Sequence, residues 1–224
     1  MNSRLPSHID PQHCILTRQY AVYTPPMEEM IGQIGDWIDQ QSPGGYVYGP
    51  SRFGKTRAVV WYLARVLAER FGAAIPLVIW NHERTNTPTD GWFWHQLLLA
   101  TKFEFVDPTK QPKKTEGREL CAQRFMALSR MNGGNHIILL IDEAHDVTLY
   151  EWQWLVGLQN RLDWEGFMLT VFSIGSHQLG YKHDYLASTG NAHVAARFMA
   201  AHAKYHGIRG VPDLKYVLGG YDID

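Results

Sequence analysis

The segment from Gly49 to Thr56 has the residue types and the spacing of a loop that binds polyphosphate. Its sequence, GPSRFGKT, matches the pattern G-x-x-x-x-G-K-T. Glycines let the backbone turn its N–H groups toward phosphate oxygens, and the helix predicted after the loop adds the positive end of its dipole. Lys55 can reach the β- and γ-phosphates of ATP, and the Thr56 hydroxyl can ligate Mg²⁺. The predicted nucleotide-binding residues are Gly49, Pro50, Ser51, Arg52, Phe53, Gly54, Lys55, Thr56 and Arg57.

A second segment, residues 136–143, contains five successive aliphatic residues and ends in two acids. Such aliphatic runs are typical of central strands in parallel sheets, and an acid at the carboxyl end of such a strand lies in the ligand-binding crevice. We therefore predict that Asp142 holds Mg²⁺, often through water, and that Glu143 orients the attacking water. A helix-start residue favoured by the helix dipole is the alternative interpretation of Glu143. Together the two segments predict Mg²⁺-dependent ATP hydrolysis, with Lys55 and Glu143 as catalytic residues.

The elements that must position these residues alternate between strands and helices. An apolar strand at 45–48 directly precedes the glycine loop, and a helical pattern at 57–71 follows it. Further helices are predicted at 27–40, 91–103, 120–131, 150–162 and 193–205, and further strands at 76–80, 136–141 and 167–174. This alternation predicts a three-layer α/β fold with a parallel sheet. The predicted division is an irregular segment at 1–25, the ATPase domain at 26–210, and a tail or the start of a lid at 211–224.

The composition is that of a globular protein with one domain. Of the 224 residues 45% are hydrophobic and 19% charged, and the formal net charge is −1, so any DNA site must be a local patch. Cys14 and Cys121 show no metal-ligand spacing, which favours a reduced, cytoplasmic protein. The N-terminus has no apolar signal core, and no apolar run approaches the roughly twenty residues that a membrane span needs. We therefore expect no membrane partner.

The order of these features resembles that of AAA+ ATPases. Within that group the chain resembles the transposition regulators of the TniB/TnsC kind, which are relatives of MuB and of the IstB helper ATPases. The likeness covers about residues 15–210. It depends on the segments 45–56 and 138–145, the Ile174-Gly175-Ser176 turn after a strand, and Arg197-Phe198 on a helix.

The resemblance implies two more catalytic residues. Ser176 would occupy the sensor-1 position, where it reads the γ-phosphate, and Arg197 would be an arginine finger that reaches into a neighbouring subunit's nucleotide. A turn residue is the alternative for Ser176, and His177 competes for the same role. A surface helix cation is the alternative for Arg197. Only 27 residues follow Arg197, so the helical lid of the family would be minimal or missing.

The resemblance also implies assembly of identical subunits on double-stranded DNA. Backbone binding needs cations on accessible loops, and the most hydrophilic stretch of the chain, residues 107–119, is rich in lysine. The predicted DNA-binding residues are Lys102, Lys110, Lys113 and Lys114. A solvated surface loop is the alternative, and four nearby acids dilute the charge. For the adenine base, Arg18, Tyr20 and Tyr23 are available to stack, although a tyrosine near a helix start is more often packed.

The expected function is that of an ATP-hydrolysing regulator that oligomerises on DNA and helps to select the target site for a transposase, together with target-selection proteins. A helicase loader or replication-type AAA+ ATPase would share every one of these residues. A nucleotide-gated signalling or defence switch with weak hydrolysis is a third possibility. The DEAH sequence at 142–145 also occurs in helicases, but those enzymes need two RecA-like domains. His145 is therefore interpreted as a helix-start or switch residue.

Overall fold

Five parallel strands form one sheet in the part of the chain that the computed structural model describes, residues 21–72, 75–85 and 87–221. The spatial order of the strands is β2-β3-β4-β1-β5, and every neighbouring pair is parallel. The strands are β1 (Gly44–Tyr48), β2 (Leu77–Asn81), β3 (His136–Asp142), β4 (Met168–Gly175) and β5 (Ala201–Lys204). The carboxyl ends of β1, β4 and β3 therefore meet at the centre of one sheet edge, which is where ligands bind in open α/β sheets.

Helices cover both faces of this sheet. The second of them, α2, runs continuously through the segments Lys55–Ala58, Val59–Leu63 and Ala64–Phe71, and its middle segment is a π-helical turn. The other helices are α1 (Pro25–Asp39), α3 (Asp90–Ala100), α4 (Lys114–Met131), α5 (Leu149–Trp164), α6 (Gln178–Ser188), α7 (Ala192–Phe198) and α8 (Val211–Tyr221). Helices α1 and α2 pack on one face, and α3 to α7 pack on the other. The predicted three-layer α/β fold is confirmed.

Strand β3 shows why the sheet lies between two cores. Its aliphatic residues are fully buried, and they alternate between the two faces: Ile137 and Leu139 pack with α3, α4 and α5, whereas Ile138 and Leu140 pack with α1 and α2. Burial of one such side chain contributes about 1.5–3 kcal/mol. A strand that is apolar on both faces can only lie in the middle of a covered sheet, as its sequence predicted.

The predicted first residues of two helices, α2 and α4, are wrong. Helix α2 begins at Lys55 rather than at residue 57. Helix α4 begins at Lys114 rather than at residue 120, so only the first half of the hydrophilic stretch 107–119 is a loop. The polar first turns of α4 hid its helical period. Gly117 is buried there, and an added Cβ would come within 2.9 Å of the Trp94 Cβ atom.

The carboxyl-terminal part of the chain differs most from the prediction. The single helix predicted at 193–205 is the short helix α7 followed by the strand β5. Strand β5 has only four residues, two of them alanine, so its alternation was too brief to separate from a helical pattern. Helix α6 was not predicted, and the predicted tail contains helix α8. Among the described residues, no helix is both long enough and apolar enough to cross a membrane.

Candidate functional site

The glycine loop is held between the carboxyl ends of β1, β4 and β5. The N–H of Gly49 donates to Gly175 O at 3.2 Å, and an added Cβ at Gly49 would lie 2.2 Å from Tyr205 O, so no side chain fits at this position. Gly54 has a φ of +102°, which glycine adopts without steric cost, and helix α2 begins directly after it. The loop is therefore a tight turn that ends at a helix N-terminus, the arrangement that binds phosphate.

Lys55 lies buried beneath the loop. Its Nζ atom donates to Gly49 O at 3.0 Å and to Pro50 O at 2.6 Å. Burial lowers the pKa of the ammonium, while the nearby Glu143 and Asp142 carboxylates raise it. Both hydrogen-bond partners of the Lys55 ammonium are neutral carbonyls. Negatively charged phosphate oxygens would form stronger hydrogen bonds with this ammonium than these carbonyls do.

Thr56 and Asp142, the two predicted metal ligands, are in direct contact. The Thr56 hydroxyl donates to Asp142 Oδ2 at 2.6 Å, and the Glu143 N–H donates to Asp142 Oδ1 at 3.0 Å. A hydroxyl and a carboxylate are the oxygen ligands that Mg²⁺ prefers, and substrate phosphates and waters complete such sites. Within the described ranges, no group of three His, Cys, Asp or Glu residues could hold a metal.

Glu143 lies at a sharp turn after β3. Its φ of 56° places it in the left-handed region, and a 3₁₀ turn, Ala144–Asp146, follows. Glu143 occupies the N-cap position of that turn, as the helix-start interpretation expects, although its side chain makes no capping bond there. The carboxylate is half exposed, with Oε2 lying 3.4 Å from His145 Nδ1. The turn thus directs the acid toward the glycine loop and leaves it accessible to water.

One cavity of about 210 Å³ gathers most of the predicted residues. Its lining residues are Ser51, Arg52, Gly54, Lys55, Thr56, Arg57, Glu143, Gly175 and Ser176. The backbone of the glycine loop, a buried ammonium, the Thr56 hydroxyl and an accessible carboxylate therefore surround a single space, and Asp142 adjoins it through its bond to Thr56. This set of groups can bind a triphosphate with Mg²⁺ and place a water molecule beside the γ-phosphate.

The turn after β4 separates Ser176 from its competitor. Ser176 lines the cavity, and its N–H lies 3.4 Å from His145 Nδ1. His177 is exposed and packs edge-on against Tyr48, with the ring centroids 5.9 Å apart. Ser176 is thus the residue of this turn that the fold places at the cavity.

Two further residues that support the site carried no sequence motif. The Tyr205 hydroxyl donates to Phe53 O at 3.1 Å, and burial raises the pKa of this phenol to about 12. Lys182, on α6, donates to the carbonyls of His145 and Val147. A lysine in an unpredicted helix and a tyrosine after an unpredicted strand gave no signal that could have identified them.

Arg197 lies away from this cavity. It lies in the last turn of helix α7, and its Nη1 donates to Asn160 Oδ1 at 2.6 Å and to Gln159 Oε1 at 3.2 Å. Its carbonyl oxygen is beside Gly44, the first residue of β1, where an added Cβ would lie 2.6 Å from it. The glycine loop follows the other end of that strand, roughly 15 Å away at the usual rise of a strand. Arg197 therefore takes no part in the nucleotide site of its own chain.

The predicted DNA-binding lysines belong to one surface loop and the helix start after it. Lys102 is exposed with a φ of 52°, and Lys110 is 82% exposed and lies 3.6 Å from the Asp107 carboxylate. Lys113 is exposed directly before α4, and Lys114 is the first residue of that helix. Phe105, in the same loop, is 87% exposed.

The residues proposed to stack on adenine have mixed outcomes. Tyr23 packs against Tyr62, with ring centroids 4.8 Å apart. Arg18 and Tyr20 lie outside the described residues, as does Cys14. Cys121 is buried, and burial raises the pKa of its thiol.

Comparison with known proteins supports the fold. No family model matches the chain, and no curated protein matches it. Similar solved structures include the Aeropyrum pernix Orc1 protein in complex with DNA, at 17% identity and a TM-score of 0.61 over 90% of this chain and 50% of that one. Cdc6p from Pyrobaculum aerophilum matches at 15% identity and a TM-score of 0.55, over 88% and 49% of the two chains. The chain has the fold of an AAA+ P-loop ATPase core.

A third similar structure is the Aeropyrum pernix Orc2 protein in ADPNP–ADP complexes, at 12% identity and a TM-score of 0.59 over 89% of this chain and 54% of that one. The chain spans about half the length of these structures. At such identities the likeness shows the shared core and nothing finer.

Proposed function

We propose that this chain is a Mg²⁺-dependent ATPase of the AAA+ type. The observation that supports this most is that Lys55, Thr56 and Glu143 line one cavity at the carboxyl edge of the sheet, while Asp142 is hydrogen-bonded to Thr56 and to the Glu143 N–H. Hydrolysis needs all four chemical functions in one place: a phosphate cradle, a cation, metal ligands and a group that orients water.

The roles of the residues follow from their positions. The glycine loop and the N-terminus of α2 bind the phosphates, and Lys55 exchanges its carbonyl partners for phosphate oxygens. Thr56 and Asp142 would hold Mg²⁺, which when bound would neutralise the charge that develops on the phosphates. Glu143 accepts a hydrogen bond from water and directs it at the γ-phosphate, and Ser176 offers a hydroxyl at the far wall of the cavity.

We further propose that the chain assembles with copies of itself and that Arg197 acts in a neighbouring subunit. Its position at the opposite end of β1 from the glycine loop suits a group that serves another molecule's nucleotide. An arginine supplied in this way raises turnover by about 10³–10⁵-fold in related chemistry. The amides of Gln159 and Asn160 would release it on assembly.

Double-stranded DNA is the proposed partner of the loop between α3 and α4. Lys102, Lys110 and Lys113 extend into solvent there, and exposed Phe105 adds an aromatic face. Lysines bind phosphate without reading sequence, and an apolar side chain can contact a groove. The Orc1 structure with the same fold is a complex with DNA, which is consistent with this proposal.

The biological programme we propose is target selection for a transposase, in the manner of TniB/TnsC regulators. The rival programme is replication initiation or helicase loading, and the fold shared with the Orc and Cdc6 structures is consistent with both programmes. Both programmes use the same residues, and they differ in the partner protein, a transposase or a helicase. Cytoplasmic localisation stays a prediction.

Size-exclusion chromatography with light scattering on duplex DNA tests the proposal. The wild-type protein is run on duplex DNA in the presence of ATP, in the presence of ADP and without nucleotide. The Glu143→Gln and Lys55→Ala variants are run under the same three conditions. We expect large DNA-bound particles with ATP, more persistent ones with Glu143→Gln, and none with Lys55→Ala. A protein that hydrolyses ATP but stays monomeric on DNA would leave the ATPase proposal standing and contradict the assembly on DNA.

A further inference from the structure

Lys182 joins two parts of the molecule that carry the proposed catalytic groups. It lies on α6, the helix that follows β4 and Ser176, yet its ammonium reaches the turn that follows β3. There its Nζ donates to His145 O at 2.9 Å and to Val147 O. Burial lowers the pKa of Lys182, against the opposing effect of the Asp146 and Glu151 carboxylates. Burial of a lysine ammonium is unfavourable unless it is hydrogen-bonded, and here both of its partners are backbone carbonyls of the turn after β3. The two bonds therefore fix the backbone of that turn.

The turn that Lys182 holds is the one that bears Glu143. Its backbone starts from the left-handed conformation of Glu143, which is strained for a residue with a side chain and persists only where surrounding contacts enforce it. The same turn presents the Glu143 N–H to Asp142. Any relaxation of the turn would therefore move the proposed water-orienting carboxylate relative to the metal ligand.

His145 carries the constraint from the turn to β4. Its Nδ1 atom lies 3.4 Å from Glu143 Oε2 and 3.4 Å from Ser176 N. The fit is close, since an added Cβ at Gly175 would lie 3.2 Å from that same Nδ1 atom. Lys182 holds the main chain of the turn, and the His145 ring is held against the end of β4. Together these contacts restrict the positions that Glu143 can adopt.

We propose that Lys182 is a positioning residue for ATP hydrolysis: by fixing the turn after β3 it sets the orientation of Glu143, without itself touching the nucleotide. This inference rests on the proposed ATPase function. It predicts that loss of Lys182 slows turnover while nucleotide affinity is retained, because the glycine loop and Lys55 belong to other elements.

The first test compares Lys182→Met, which keeps the length of the side chain and removes its donors, with Lys182→Arg, which keeps them. Tyr181→Met, at an exposed neighbour on the same helix, controls for changes in α6. Assays run well below each variant's melting temperature. We expect kcat to fall at least tenfold in Lys182→Met, with Kd for a fluorescent ATP analogue within about threefold of wild type, and partial recovery in Lys182→Arg. Unchanged kcat, or an equal loss of affinity, would overturn the proposal.

A double variant tests whether Lys182 acts through Glu143. In a Glu143→Gln background, Lys182→Met should lower the residual rate no further, since the group that it positions is already gone. A second tenfold loss there would show that Lys182 acts by another route.

Hydrogen exchange of the ATP-free protein gives a readout that does not depend on turnover. The amides of residues 144–147 should exchange at least tenfold faster in Lys182→Met, while those of α6 stay within about twofold of wild type. Unchanged exchange in the turn would refute the positioning role even in an active enzyme. Faster exchange in the turn of a protein that never hydrolyses ATP would instead refute the proposed function and leave the structural link intact.

Discussion

Two regions of the molecule, the cavity at the glycine loop and the amino-terminal end of β1 near Arg197, differ in the hydrogen-bond partners of their functional groups. At the cavity, Thr56 bonds Asp142 across 86 positions of sequence, and Lys55 is bonded to its own loop. At the other end, Arg197 rests on two neutral side-chain amides. The residues proposed to bind the nucleotide thus find their partners within this chain. Arg197, like the exposed lysines of the α3–α4 loop, is a group whose proposed function needs a second molecule.

Removal of Lys55 should have the largest effect of any substitution at the cavity beside the glycine loop. Lys55→Ala should abolish measurable ATP binding, by at least about 100-fold in Kd, because a buried cation opposite the phosphates is lost. Titration with a fluorescent ATP analogue measures this. Lys204→Ala, at an exposed lysine of β5, is the matched control and should bind like wild type. Equal binding by Lys55→Ala would mean that the cavity is not the nucleotide site.

The Arg197→Ala variant tests the region that needs a second molecule. We expect turnover of the assembled protein to fall by about 10³-fold, since an arginine finger is worth that much or more. ATP binding by the monomer should stay within about twofold of wild type. Steady-state turnover as a function of protein concentration measures the effect, and Arg209→Ala is the control. Normal turnover by Arg197→Ala would show that the finger assignment is wrong.

The Glu143→Gln variant separates binding from chemistry within the cavity. The amide keeps the shape of the side chain but is a poor proton acceptor, so turnover should fall by about 10²-fold or more. ATP affinity should change little, because the phosphates contact other residues. Single-turnover hydrolysis and equilibrium binding, measured on the same preparation, check this. A fall in both quantities together would point to a structural role for Glu143.

Loss of two lysines from the α3–α4 loop should have the smallest effect. In the double variant Lys110→Gln and Lys113→Gln, DNA affinity should fall and the slope of log K against log salt should become shallower by about 1–2 units, about one for each lost phosphate contact. Fluorescence anisotropy with a labelled duplex at several salt concentrations measures the slope. ATPase activity without DNA should not change. An unaltered slope would leave these lysines as solvated surface charge.

The parts of the molecule that could be predicted from sequence are those in which one short segment carries the whole signal. The glycine pattern alone predicts the phosphate-binding turn, and the aliphatic run alone predicts that β3 is buried on both faces. Strand β5 was missed because its period of two spans only four residues, and because it pairs with β1, which lies 156 positions earlier in the sequence. Lys182 was missed for a related reason. Its role depends on a contact between two turns that no local pattern records.

The π-helical turn in α2 has a consequence for how the loop and its helix fit the sheet. The buried residues Val59, Leu63 and Leu67 are spaced four apart, and in a regular α-helix each such step drifts by about 40° around the axis. The wider turn at Val59–Leu63 takes up part of that drift, so one stripe stays against the sheet from beginning to end. A π-helical turn holds one residue more than an α-helical turn, so deletion of a single residue there should restore a regular α-helix and leave the outer half of α2 facing the same core.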